Sequence, residues 1–297
     1  MSFQPKYLKY KSKYLNLINQ KGGDIIRTAK TTNNKIIKDF LSIPIDMPDI
    51  PYKITKYSYE IDNKTLHLIK IKLNSDKDKP ILCALGGMSH KSFIGTANII
   101  LNKLDLIKTK FRVIYLLEYD SFKETQNSAC SQRDIIKKTS KDLDKMYKPE
   151  LDMNLQIADY INKIIIKLNL NNVHLLGKCN GAWVVSLLLL KSDIYKGLYL
   201  AVPGIPFGVD ILSNLSIDRL EKINFVFGWL KQDGYKFDWG ISYEEKDRYD
   251  RIMKQIEEHN KNKLKYKSYM YDNHLDIDLK IYHELYPEMI DDIINTL

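Results

Sequence analysis

The stretch over residues 173–190 limits what this chain can fold into more than any other. An apolar segment, Val173-His174-Leu175-Leu176, runs into Gly177-Lys178-Cys179-Asn180-Gly181, and a longer apolar segment beginning at Ala182 leaves it. A short apolar run that stops at a glycine and restarts at once predicts a buried strand, a sharp reversal and a helix. Such a turn is strained and draws neighbouring backbone together, so it needs small residues two before and two after its apex. Gly177 and Gly181 hold those places around Cys179.

The rest of the chain supplies partners for that strand. Residues 52–61 and 65–73 alternate in polarity across Asp62-Asn63-Lys64, which predicts an antiparallel hairpin. Continuous apolar runs at 81–85, 111–119, 197–202, 223–230 and 266–271 read as buried strands, and helical periodicity falls between them at 96–108, 151–168, 211–220, 243–262 and 281–297. Such alternation predicts an α/β protein with a mostly parallel sheet of about eight strands and helices on both faces. Pro44, Pro48 and Pro51 break the pattern ahead of it, so the chain divides into an N-terminal basic helix and extension, 1–45, and a domain, 46–297.

Composition excludes several classes. A formal charge of +9 suggests an acidic partner, but lysine supplies nearly all of it. No face outside the N-terminus gathers arginine with aromatics as nucleic-acid readers do, so a nucleic-acid role is not expected. Cys83, Cys130 and Cys179 are too scattered for a disulfide framework or metal-ligand spacing, which points to a reducing, intracellular compartment. No apolar run reaches spanning length. No Gly-x-Gly-x-x-Gly or phosphate-binding loop occurs, so neither cofactor nor metal is expected.

Residues 4–20 interleave Tyr7, Leu8, Tyr10, Tyr14, Leu15, Leu17 and Ile18 with Lys6, Lys9, Lys11 and Lys13, ahead of Gly22 and Gly23. This predicts a basic helix, either docking on a protein or membrane surface or packing on its own domain. The segment resembles N-terminal leaders of giant DNA virus proteins, which would place the chain in a host cytoplasm or a virion.

Chemistry centres on the apex. A cysteine at the start of a helix meets unpaired N–H groups and a positive dipole end, which favour a thiolate nucleophile. The competing reading is a small buried cysteine. The paired Gly86 and Gly87 after the run at 81–85 allow backbone N–H groups to face a ligand, or form a tight turn. Lys178 either tunes the cysteine or points to solvent. His67 reads as a cross-strand or surface residue, and Cys130 has no assigned role.

Over most of its length, from about residue 50 onward, this order of parts resembles the α/β-hydrolase family, with Gly177-Lys178-Cys179-Asn180-Gly181 as the nucleophile elbow and 80–87 as the oxyanion strand. The family's usual histidine before the glycines is Leu85 here. A cysteine apex resembles the dienelactone hydrolases and, in its Gly-x-Cys-x-Gly form, the polyhydroxyalkanoate synthases. The resemblance implies a triad of Cys179, His274 and Asp233, with Asp238 and Asp210 competing for the acid's place, and oxyanion donors in the backbone N–H groups of Asn180 and Gly87. It implies a hydrolase for a small ester, thioester or lactone with a small or absent lid. An acyltransferase using the same residues and an inactive binding or virion-associated scaffold are the alternatives. Trp229, Tyr235, Phe237 and Trp239 either line an acyl pocket or belong to the core.

Overall fold

A computed structural model of the chain describes residues 26–32, 52–87, 90–203, 209–230, 242–259, 264–271 and 287–297. Among them, nine strands form one sheet. They are β1 (Ile26–Thr32), β2 (Lys53–Ile61), β3 (Lys64–Lys72), β4 (Ile81–Leu85), β5 (Val113–Glu118), β6 (Val173–Cys179), β7 (Tyr195–Pro203), β8 (Asn224–Leu230) and β9 (Lys265–Tyr271). Their spatial order is β1-β2-β3-β5-β4-β6-β7-β8-β9. Strands β1, β2 and β3 pair antiparallel, and β3 pairs antiparallel with β5; every pair from β5 through β9 is parallel.

The predicted hairpin is β2–β3, turned by Asp62 and Asn63 at φ 49 and 60. Aspartate and asparagine tolerate that left-handed region, and two such residues give a turn whose twist matches the strands. The next strand in the sheet, β5, and its neighbour β4 are buried along their whole length. That is why both read as continuous apolar runs and not as alternating ones.

Helices cover both faces. On one lie α1 (His90–Asn102) and α2 (Leu104–Ile107), and on the other α3 (Lys123–Lys137), α4 (Leu143–Met146), α5 (Lys148–Lys167) and α6 (Asn180–Leu189). Later come α7 (Ile217–Leu220), α8 (Ser242–His259) and α9 (Pro287–Thr296). Two apolar clusters result. The larger joins α5, α6 and Ile252 and Ile256 of α8 to the sheet, and the smaller joins α1, α2 and α9 to the opposite face. Alternation along β6 serves both: Val173 and Leu175 enter the first cluster and Leu176 the second.

The mostly parallel sheet agrees with the expectation of about eight strands, and two helices differ from theirs. The additional strand, β1, lies inside the segment 1–45 that the sequence sets apart and pairs residue for residue with β2. Its sequence, Ile-Arg-Thr-Ala-Lys-Thr-Thr, carries no apolar alternation. An edge strand is held by main-chain bonds, and β-branched residues suit it without a hydrophobic signature. The helix expected at 96–108 starts earlier and breaks at Lys103 into α1 and α2. The helix expected at 211–220 shrinks to α7, preceded by a turn in which Asp210 accepts from the Ser213 amide at 2.9 Å. The basic helix at 4–20 lies outside the described residues.

Candidate active site

Strand β6 ends and α6 begins at one residue, Cys179, whose backbone stands at φ 55, ψ −124. A side chain with a Cβ pays of order 1–3 kcal/mol for such a conformation, which persists only where its surroundings hold it. They do so by close packing. A methyl group on Gly177 would lie 2.6 Å from Ala182 Cα, and one on Gly181 would strike the carbonyl oxygen of Gly86 and sit 2.6 Å from that of Leu85. The two glycines therefore let the first turn of α6 press onto the end of β4, in register with Leu85 opposite Gly177.

On the α5 and α6 face a neutral network fixes the turn. The Asn180 side-chain amide donates to Asn154 Oδ1 at 3.0 Å, and the Asn154 amide donates back to Asn180 Oδ1 at 3.0 Å. Asn180 also reaches the Tyr119 hydroxyl at 3.4 Å, and that hydroxyl donates to the Gly86 carbonyl at 3.0 Å. All three side chains are buried, and burial raises the Tyr119 phenol well above its ordinary pKa. The network thus ties α5, α6, β5 and the end of β4 together.

The α1 face presents a different cluster. Lys178 does not point to solvent: its side chain is 2% exposed, and its ammonium donates to Ser92 Oγ at 3.0 Å. The Gly87 N–H donates to the same oxygen, also at 3.0 Å. A Cβ on Gly87 would lie 2.6 Å from Ser92 Oγ and 3.3 Å from Cys179 Cβ, so the hydroxyl and the β-carbon of Cys179 flank one point at the strand end. Ser92 and Cys179 keep partial exposure.

Cys179, Asn180, Gly177, Gly181 and Gly87 therefore come together. Asp233, Asp238 and His274 lie outside the described residues, as do Tyr235, Phe237 and Trp239. The strands leading toward that aspartate and histidine end side by side, with Leu230 paired to Tyr271, at the same carboxyl edge of the parallel sheet as Cys179. Asp210 is engaged locally: its carboxylate accepts from the amide and the hydroxyl of Ser213, at 2.9 and 2.5 Å. Trp229 is core, stacked on Phe227 with its indole donating to Ser268 Oγ at 3.1 Å. His67 bonds across the strands to Ser58 at 2.9 Å, and burial, helped by Lys56 and His90, lowers its pKa to about 4.

Ser92, Asn154 and Tyr119 escape the sequence reading. Each meets the elbow across a long separation in the chain, and no local pattern marks them. The other cysteines are poor nucleophile candidates: burial raises Cys83 far above the thiol range and Cys130, beside Glu150, to about 12. Among the described residues no group of three or more His, Cys, Asp or Glu side chains is placed to hold a metal ion.

No protein-family model matches the chain, and no curated protein matches it in sequence. Several solved structures are similar in shape. A dienelactone hydrolase-like promiscuous phosphotriesterase from metagenomic libraries aligns over 82% of this chain and 96% of its own, at 9% identity and a TM-score of 0.49. A fungal esterase from Rhizomucor miehei aligns over 89% and 90% at 12% identity, TM-score 0.48. A thermophilic carboxylesterase cloned from a metagenomic library aligns over 88% and 92% at 7% identity, also with a TM-score of 0.48. The architecture rests on the chain's own strand order and turn: a mostly parallel sheet, helices on both faces and a strained strand-to-helix elbow at its carboxyl edge make this an α/β-hydrolase-like fold.

Proposed function

We propose that this protein hydrolyses a small carboxylic ester, thioester or lactone through an acyl intermediate on Cys179. The observation that carries the reading is the backbone of Cys179, held at positive φ on the first turn of a helix and beside the Gly87 strand end. Strain of that kind is kept where a side chain must be presented, and the helix start favours a negative charge there.

In this reading the Cys179 thiolate attacks the carbonyl carbon, a C–S bond forms, and the carbonyl electron pair moves to oxygen. The backbone N–H of Asn180 and the Gly87 side of the site receive that oxyanion. The tetrahedral species collapses, the bond to the leaving alcohol or thiol breaks, and His274, oriented by Asp233, supplies the leaving group's proton. Water, giving its proton to His274, then attacks the acyl-cysteine and releases the acid and the thiolate. The adjacent carboxyl ends of β8 and β9 support this assignment of acid and histidine.

Intact mass after brief exposure to a panel of activated esters and thioesters tests it. The expected result is one acyl adduct that decays with time and is absent from Cys179→Ala. An adduct cleared only by an added alcohol or amine would make the protein an acyltransferase. No adduct with any substrate, together with slow alkylation of Cys179, would overturn the reading in favour of a binding scaffold.

A further inference from the structure

Part of the formal charge of +9 gathers at the end of α3, where Lys137 closes the helix and Lys138 and Lys141 follow in the link to α4. All three are exposed. The cations around them are answered locally: Arg133 meets Glu150 at 2.8 Å and Asp134 at 3.2 Å, Lys145 lies 3.8 Å from Asp142, and Lys148 pairs with Asp152. Among the described residues no ion pair engages Lys137, Lys138 or Lys141. Beside them Ile135 stands 63% exposed, on the same helix face as Lys138 three residues on.

The patch has a definite place in the fold. Helix α3 leaves β5 at the carboxyl edge of the sheet, and its residues Cys130 and Arg133 meet Glu150, in the first turn of α5, at 3.2 and 2.8 Å. One turn further along α5, Asn154 bonds Asn180 beside the apex of the elbow. The patch therefore stands at the same end of the molecule as Cys179. Arg251 of α8 braces the adjoining α4 there through Asp144, at 3.1 Å.

Lysine charge alone would suit any acidic partner, and Ile135 narrows the choice. A nucleic acid offers phosphates but no aliphatic surface, and the patch lacks the stacking aromatics that read bases. An anionic bilayer surface offers both things at once: headgroups for the lysines and, a few ångströms deeper, an acyl boundary for the isoleucine.

We propose that residues 135–141 dock this protein on an anionic lipid surface, with Ile135 entering the acyl boundary and Lys137, Lys138 and Lys141 lying among the headgroups. The association is shallow and reversible, since one aliphatic side chain and three lysines fall far short of an anchor. It turns the end that bears Cys179 toward the interface, where an ester held in the lipid would be met. Docking itself does not depend on the acyl-Cys179 reading.

The test is co-sedimentation of the full chain with vesicles of phosphatidylcholine and phosphatidylserine in equal parts, against phosphatidylcholine alone. Binding to the mixed vesicles only is expected, weakening as salt rises from about 10 to 150 mM. Each lysine near such a surface is worth about fivefold, so Lys137→Gln, Lys138→Gln and Lys141→Gln combined should weaken binding about 10²-fold. Ile135→Asn should weaken it about fivefold at every salt concentration. Removing the same charge at the opposite edge of the sheet, with Lys72→Gln, Lys77→Gln and Lys110→Gln, should change it little. Circular dichroism checks that each variant is folded.

No binding of the parent to the mixed vesicles, or equal losses in the two triple variants, overturns the inference. So does full binding by the variant at 137, 138 and 141, which would move any docking to another segment such as residues 4–20. Retention on immobilised polyglutamate without vesicle binding would reassign the lysines to an acidic protein. Adduct formation on Cys179 with a water-soluble ester should keep its parental rate in the variant at 137, 138 and 141, so the two readings fail separately.

Discussion

The turn at Cys179 is gripped from both faces of the sheet, and the two grips differ in kind. On the α5 and α6 side, Asn154, Asn180 and Tyr119 form a neutral, buried network in which the two amides bond reciprocally. On the α1 side, Lys178 brings a buried charge to a hydroxyl that keeps partial exposure beside the thiol carbon. The first network exchanges its bonds among its own members and the Gly86 carbonyl, which suits a structural clasp. The second joins a buried ammonium and the Gly87 amide to one partly exposed hydroxyl at the strand end. A buried polar group is therefore best judged by where its network leads as well as by how well it is satisfied.

The largest effect should fall where both grips converge. Gly181→Val would drive side-chain carbons into the Gly86 and Leu85 carbonyls, and backbone cannot yield as a flexible side chain can. A loss of more than about 4 kcal/mol, or failure to fold, is expected in urea unfolding. A mild loss would mean that the elbow and the β4 end are less tightly joined than the two grips require.

A pH experiment separates the faces. The α1 side also holds His174, bonded to Tyr199 at 2.5 Å, whose burial lowers its pKa to about 4. The native state keeps this ring neutral while the unfolded chain takes up a proton near pH 6.5. Stability should therefore fall as pH drops from about 6.5, with the loss from this ring complete below about 4 and amounting to roughly 3 kcal/mol. His67 acts in the same direction, though more weakly because it is only half buried. Replacing the pair with His174→Leu and Tyr199→Phe should flatten that acid limb. An unchanged acid limb in the double variant would trace it to other groups.

The smallest effect tests the neutral clasp. Asn154→Ala strands the buried Asn180 amide and should cost about 2 kcal/mol of stability. Its rate of acyl-adduct formation, measured well below the unfolding temperature, should fall by far less than that of Cys179→Ala. A fall as complete as in Cys179→Ala would mean that the clasp itself sets the reactive geometry.

Much of this arrangement is legible in one dimension. The hairpin β2–β3 follows from two alternating runs across Asp62-Asn63, and β4, β5 and β6 from unbroken apolar runs. The apex at Cys179 follows from glycines two residues to either side, because sterics at a tight turn act on immediate neighbours. Strand β1 is not legible, since main-chain pairing at an edge leaves no hydrophobic period. Nor does the environment of Trp229 follow from its sequence position: an aromatic near a strand end serves core or pocket equally well until its neighbours are known.

By itself, then, the sequence determined the α/β class, the run of elements from β2 to β9 and the residue at the apex of the elbow, because periodicity and turn sterics operate over a few residues. Only the tertiary structure decided that Lys178 turns inward, that Ser92 meets Gly87, and that Asn154 clasps Asn180. Those contacts join residues far apart in the chain, and hydrogen bonds between them depend on how strands and helices are stacked, which no local pattern encodes.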